Sequence, residues 1–206
     1  MSHAWPTGYP ESIIEVNDEF YILAKSTLLD DRTRVLKHDD TFAVFDRYGD
    51  IRVTGHGEQG LYHDGTRYLS RLALTIDGYR PLLLSSTSKS DNALVAADLT
   101  NTDLRVDHHM VLPRGSIHLF RGTFLWQGTC HEYLRVRNYS QSAVRVKLAL
   151  SFDADFVDIF EVRGTKRARK GIFLPADVAE GRVVRGYRGL DDVVRRSIIH
   201  CSPLPA

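Results

Sequence analysis

The sequence has almost no charge imbalance, almost no cysteine and no long apolar run, and each absence removes a class of function. Its 27 lysines and arginines stand against 26 aspartates and glutamates, a formal net charge of +1. No overall field therefore draws nucleic acid or an anionic membrane to it. The two cysteines, Cys130 and Cys201, are scattered in apolar stretches and do not make a disulfide framework. No apolar run approaches the roughly 20 residues that span a bilayer. Met1 to Gly8 is polar and broken by Pro6, unlike the apolar centre of a signal peptide. Together these absences predict a reduced, cytoplasmic protein with neither nucleic acid nor a membrane as partner.

What is present is a globular composition, 43% hydrophobic and 26% charged over 206 residues, which suits one large domain with a core of its own. The dominant pattern is alternation with period two. From Val144 to Phe152, Val144, Val146, Leu148, Leu150 and Phe152 share one face and polar or small residues the other, the mark of a strand with one buried face. Tyr68 to Ile76 places Leu72, Leu74 and Ile76 together. Ile117 to Trp126 does the same for Phe120, Phe124 and Trp126, and Cys130 to Val136 for Cys130, Leu134 and Val136, with Glu132 as an exception on that face. Ile13–Leu23, Thr41–Phe45, Leu94–Leu99 and Val193–Cys201 read as further strands. Asp77-Gly78, Tyr48-Gly49-Asp50, Gln127-Gly128 and Asn138–Ser142 separate them as turns. The pattern predicts an all-β fold, an antiparallel β-sandwich of two large sheets with few or no helices. One helical turn is expected around Asp153–Phe160.

Candidate chemistry is sparse. Glycoside hydrolysis uses two carboxylates, and Asp153, Asp155, Asp158 and Glu161 cluster in FDADFVDIFEVRG. In an extended chain Asp153 and Asp155 project to one side, about 7 Å apart, within the range of an inverting pair. Working pairs usually come from distant segments, which favours solvent-side and loop carboxylates, some paired with Arg163 or with the basic loop Gly164–Gly171, which carries Lys166, Arg167, Arg169 and Lys170. His108 and His109 point to opposite faces of a strand. His118 and His131 could meet across a hairpin beside Cys130, but no metal-ligand spacing supports a site. There is no G-x-S-x-G elbow, no phosphate-binding loop and no dinucleotide turn; no cofactor and no metal are expected. Gly55-His56-Gly57 with Gly60 reads as a flexible connection between strands. Tyr48, Tyr62, Tyr68, Tyr79, Trp126 and Tyr133 would suit a sugar-stacking face, although aromatics in a sandwich mostly form core.

Two segments carry a family resemblance: Gly60–Ser86, GLYHDGTRYLSRLALTIDGYRPLLLSS, and Phe152–Gly164, with Leu36–Asp50 and Leu99–Asp103 in support. In their order and spacing they resemble the N-terminal domain of bacterial and archaeal glycogen-debranching, amylo-α-1,6-glucosidase-type proteins, over roughly residues 30 to 200. The core Thr66-Arg67-Tyr68-Leu69-Ser70 is the more specific part together with Asp155-Phe156 and Phe160-Glu161-Val162-Arg163-Gly164. One departure stands out. Many relatives place Asp directly before the Thr-Arg pair, whereas here Gly65 holds that position and Asp64 precedes it, so Asp64 inherits no role.

The resemblance implies a division of labour. Residues 1–206 would form a single N-terminal β-sandwich domain preceding a C-terminal helical (α/α) barrel that supplies the catalytic carboxylates for α-1,6-glucosidic hydrolysis. No residue of this chain is then expected to be catalytic. Arg67, Asp155, Asp158, Glu161 and Arg163 would make carbohydrate or interdomain contacts, with the barrel and α-glucan as partners. Phe156, Ile159, Phe160 and Val162 are too apolar for a free loop, which predicts Phe152–Gly164 as the docking edge. A free-standing glucan-binding module and a self-sufficient glycosidase using Asp153 or Asp155 are the alternatives.

Overall fold

The structure, a computed structural model, describes residues 13–16, 19–22, 33–52, 57–89, 91–106 and 109–205. The chain divides into two compact units, Met1–Arg32 and Thr33–Ala206. In the first, β1 (Ile13–Val16) pairs antiparallel with β2 (Glu19–Ile22), Ile13 opposite Ile22. The one strand expected over Ile13–Leu23 is thus two.

The second unit is all-β and sandwich-like, with antiparallel ladders throughout. Strands β3 (Arg34–His38), β4 (Thr41–Phe45), β5 (Gly60–His63) and β6 (Thr66–Leu69) form one sheet in chain order. β4 reads TFAVF and buries Thr41, Ala43 and Phe45 fully while Phe42 and Val44 stay half-covered, so alternation fixes which face meets the core. The expected strand Tyr68–Ile76 breaks at Ser70. β7 (Arg71–Ile76) leaves the first sheet and is held to it at Ile51, which exchanges two backbone hydrogen bonds with Leu72.

Asp77-Gly78 makes the expected tight turn, both residues at positive φ (49° and 84°), but the strands it joins do not pair with each other. β8 (Leu82–Ser88) crosses to the opposite layer and pairs with β9 (Val95–Thr100). A small hairpin, β10 (Leu104–Val106) with β11 (His109–Leu112), follows. Then β12 (Ile117–Trp126) and β13 (Thr129–Asn138) complete a second four-stranded sheet ordered β13-β12-β9-β8. β14 (Leu148–Asp153) returns to pair with β7. The strand expected from Val144 thus starts four residues late, and Val144 and Val146 pack against Leu104, Leu112 and Ile117 instead.

The core lies between the layers. Leu36, Ala43, Phe45 and Leu69 of the first sheet meet Val95 and Leu125 of the second, and Leu74 of β7 meets Ala97, Leu99 and Leu119. Fully burying each of the larger side chains contributes about 1.5–3 kcal/mol. On β12 the buried face is Ile117, Leu119, Arg121, Thr123 and Leu125, the reverse of what the aromatic pattern suggests. Phe124 and Trp126 point to solvent. The two-residue turn between Trp126 and Thr129 aligns Leu125 with Cys130 and Arg121 with Leu134. Once Cys130 and Leu134 face inward, Arg121 must follow.

Beyond β14 comes one helical turn, α1 (Ile159–Val162), later than the expected Asp153–Phe160. A three-stranded sheet follows: β15 (Ile172–Ala179), β16 (Arg182–Arg188) and β17 (Val194–His200). It meets the sandwich where Ser197 Oγ donates to the Tyr68 carbonyl and where Phe173 and Tyr187 surround Phe156.

Candidate functional site

The two motif segments are neighbours. The Ser70 N–H donates to the Asp153 carbonyl, Arg67 N–H to Val157, and Ile159 N–H to Gly65. Residues 153–159 therefore run antiparallel along β6 as an irregular extra strand. The run departs from a regular ladder at Phe156, which has φ +53°, and this turns its ring into an aromatic cluster with Tyr68, Phe173 and Tyr187. The Phe156 and Tyr187 rings stack at 5.5 Å and 6°. Phe156 is 5% exposed, whereas Phe160 on α1 is 58% exposed.

Arg67 and Asp155 tie the segments together through their side chains. Arg67 Nε donates to Asp155 Oδ1 at 3.1 Å and Nη2 to Oδ2 at 2.5 Å, a bidentate pairing of the strong kind. Its Nη1 donates to the carbonyls of Gly57 (2.7 Å) and Gln59 (3.3 Å). Burial alone would lower the Arg67 pKa, but the Asp155 carboxylate outweighs it and holds the guanidinium above its usual value. Tyr62, beside it, donates its hydroxyl to the Glu58 carbonyl and stacks on Phe42 at 4.6 Å; burial pushes its phenol upward.

The other expected site residues surround this pair. Asp158 caps α1, accepting from the amides of Phe160 (2.8 Å) and Glu161 (2.9 Å), and its second oxygen accepts from Arg167 at 2.6 Å. Slight desolvation acts against the charged form, but the Glu161 amide and Arg167 outweigh it and hold the carboxyl below the usual carboxylate range. Glu161 pairs with Lys170 at 2.9 Å. Arg163 ends the helix, its N–H donating to the Ile159 carbonyl, and borders an apolar groove with Val35, Phe42, Val44, Ile159 and Val162. An open cleft lies between Arg67, Glu161 and the basic-loop residues Thr165, Lys166, Arg167 and Lys170. Asp153 turns away to Arg185 at 3.1 Å, so Asp153 and Asp155 serve different partners.

Sequence reasoning missed a second arginine site, between the layers. Arg121 Nη1 donates to Asp50 Oδ1 at 2.6 Å and to the Tyr48 carbonyl at 3.1 Å, while Nε and Nη2 both reach Glu132 Oε2, at 3.0 and 2.8 Å. Its side chain is 1% exposed. Arg80 pairs with Asp46 and lies 3.6 Å from the centre of the Tyr48 ring. Burial, then the neighbouring Asp50, pushes Asp46 upward, yet its oxygens accept from the amides of Tyr48 and Asp50 and from Arg80. The available signal was Glu132, the acid on an otherwise apolar strand face, with Arg121 two residues from its opposite number Thr123 on the paired strand.

Other candidates separate. His118 lies opposite Arg137 and His131 opposite Phe124, six residues apart along β12, so they do not meet. His108 and Gly55-His56 lie outside the described residues. Among the described residues no group of three metal-capable side chains is present. Burial pushes the Cys130 thiol up to about 12, which leaves it neither a ready nucleophile nor a ready ligand. Of the six aromatics singled out, Tyr62 is buried, whereas Tyr79, Trp126 and Tyr133 are 55–58% exposed. Among the described residues no helix is long and apolar enough to cross a membrane.

A search of curated proteins and of solved structures returned no match. A family model does match residues 36–206, that of the N-terminal domain of some glycogen debranching enzymes. The match spans every strand from β4 to β17, including both hydrogen-bonded motif segments and both arginine sites, and on that extent the chain belongs to this family of debranching-enzyme N-terminal domains.

Proposed function

We propose that this chain is a non-catalytic accessory domain of an amylo-α-1,6-glucosidase-like glycoside hydrolase, bracing a helical catalytic barrel and contacting α-glucan. The observation that carries the reading is the state of the carboxylates. Asp153, Asp155, Asp158 and Glu161 each accept from a cation, Arg185, Arg67, Arg167 and Lys170 respectively. A glycosidase acid needs a carboxyl kept protonated near neutral pH, and its partner needs a free oxygen facing substrate or water. At Asp155 and Asp158 protein donors take both oxygens, which removes the second requirement, and at Asp158 they hold the carboxyl below the usual carboxylate range, the opposite of the first. The exposed Phe160 and the apolar groove beside α1 support Phe152–Gly164 as the docking edge toward the barrel, with Arg163 and Glu161 at its polar margin. Cytoplasmic action fits the two free thiols.

Two measurements test this. The purified 206-residue chain, incubated with a branched α-glucan, is expected to release no glucose; release that disappears in Asp155→Asn would establish a self-sufficient glycosidase and sink the proposal. Hydrogen exchange at 156–162 is expected to slow when the barrel domain is present, and equal protection with and without it removes the docking assignment. The free-standing glucan-binding module stays in play through the exposed Trp126 and Tyr133.

A further inference from the structure

We infer that the outward face of the β12–β13 hairpin is a stacking platform for a polysaccharide chain, separate from the Arg67–Asp155 site. The inference deepens the glucan-contact part of the reading above and does not depend on the docking edge. It starts from the hairpin register: Phe124 stands opposite His131, Gly122 opposite Tyr133, and Phe120 opposite Arg135. The Phe124 and His131 rings stack at 4.8 Å and 14°, and the Arg135 guanidinium lies 5.2 Å from the centre of the Phe120 ring. Phe124, Trp126 and Tyr133 are 40%, 55% and 58% exposed. Alternate residues of a strand lie about 7 Å apart, so Phe120 to Trp126 extends roughly 20 Å, long enough for several sugar rings.

The chemistry of this face differs from that of the other exposed sheet. The outward side chains of β12 and β13 are aromatic, imidazole, guanidinium or hydroxyl, and none is aliphatic. The outer face of β15–β17 instead mixes aliphatic and cationic side chains and carries no ring stack: Ile172 and Ile198, 70% and 62% exposed, share it with Leu174 and Val184 and with Arg188 and Arg196. Aliphatic patches bury well against another protein. Flat rings on a flat sheet suit a pyranose, which offers C–H faces to the rings and rim hydroxyls to polar neighbours. Such neighbours are in place: Arg135 beside Phe120, and on the adjoining strand Asp98, opposite Phe120 and bonded to His118 at 2.9 Å and to Ser85 at 2.8 Å. Phe124 is already stacked on His131, and Trp126 lies edge-on to His38 of β3 at 5.0 Å, so these two rings lose little side-chain freedom on binding.

Affinity electrophoresis of the 206-residue chain in gels with and without glycogen tests this directly. Glycogen should retard the chain, and Trp126→Ala with Tyr133→Ala should weaken apparent affinity by roughly tenfold or more at unchanged melting temperature. Tyr133→Ala alone, at an exposed position, should give an intermediate loss. Ile172→Ser with Ile198→Ser on the β15–β17 sheet should leave retardation as it was. If the unmodified chain is not retarded, or the aromatic variants are retarded equally, the platform is overturned and its rings are assigned to a protein contact. That result removes the glucan contact from the reading above and leaves its non-catalytic part, which fails on glucose release, and its docking edge, which fails on hydrogen exchange.

Discussion

Arg121 and Arg67 each pass over a glycine to reach a carboxylate from a distant part of the chain, yet they hold different things. Arg121 lies between the layers, and its acids come from β13 and from the turn after β4. A Cβ on Gly49, itself at φ +81°, would meet the Arg121 stem at 3.2 Å. Arg67 lies on the outer side of the first sheet, its side chain 14% exposed and that of Asp155 33%. A Cβ on Gly60 would meet its Cδ at 2.5 Å. The first arginine is a tie inside the sandwich. The second fastens an irregular segment, with α1 at its end, onto a sheet that has its own core without it. Burial therefore separates a tie whose loss costs the fold from one whose loss frees a local segment.

The comparison can be broken from the strongest effect downward. Arg121→Met leaves Asp50 and Glu132 without their shared cation, and breaking a buried pair costs about 3–5 kcal/mol; urea unfolding should show it as a large fall in midpoint. An unfolding midpoint within experimental error of the unmodified chain would place Arg121 among the dispensable charges. Arg67→Ala removes a half-buried bidentate pair and two carbonyl contacts, expected to cost about 1–3 kcal/mol. Hydrogen exchange should then speed up at 156–162 and leave β9 and β12 protected; uniform acceleration would mean the two arginines are not separable.

Gly60→Ala sharpens the contrast without touching a charge. Displacing the Arg67 stem should reproduce the local exchange pattern at about 1–2 kcal/mol, a small-to-large cost in a packed place. Asp158→Ala should cost about 1 kcal/mol as a lost helix cap, read from the same urea curves. Asp158 also carries a pH signature. Its folded pKa lies below the unfolded value, so its contribution is complete above about pH 4 and drains as pH falls through the folded pKa. Asp158→Asn should flatten melting temperature against pH below that point, and an unchanged slope would show that the cap does not titrate.

Much of this was legible in the sequence where a strand follows one rule. β4 and β17 lie within a residue of their expected bounds because alternation and flanking turns agree. β12 was misread because aromatic residues mark its solvent face while Arg121 and Thr123 sit inward. The correct face was recoverable from the Gln127-Gly128 turn, which pairs Arg121 with Leu134. Of the expected site, Asp155 with Arg67 came together, while Asp158 and Glu161 found loop cations nine residues downstream. Those partnerships depend on where α1 starts, and local propensity placed that turn too early.

The sequence by itself determined the class of fold, the family and which two segments matter, since side-chain period and motif order are properties of the chain taken locally. Only the tertiary structure decided that those segments lie side by side, that a fully buried arginine ties the layers, and that the longest hairpin turns its aromatic rings outward. Each of those facts depends on which distant strand lies opposite, and a charge or a ring gains its role from what the opposing strand brings to it.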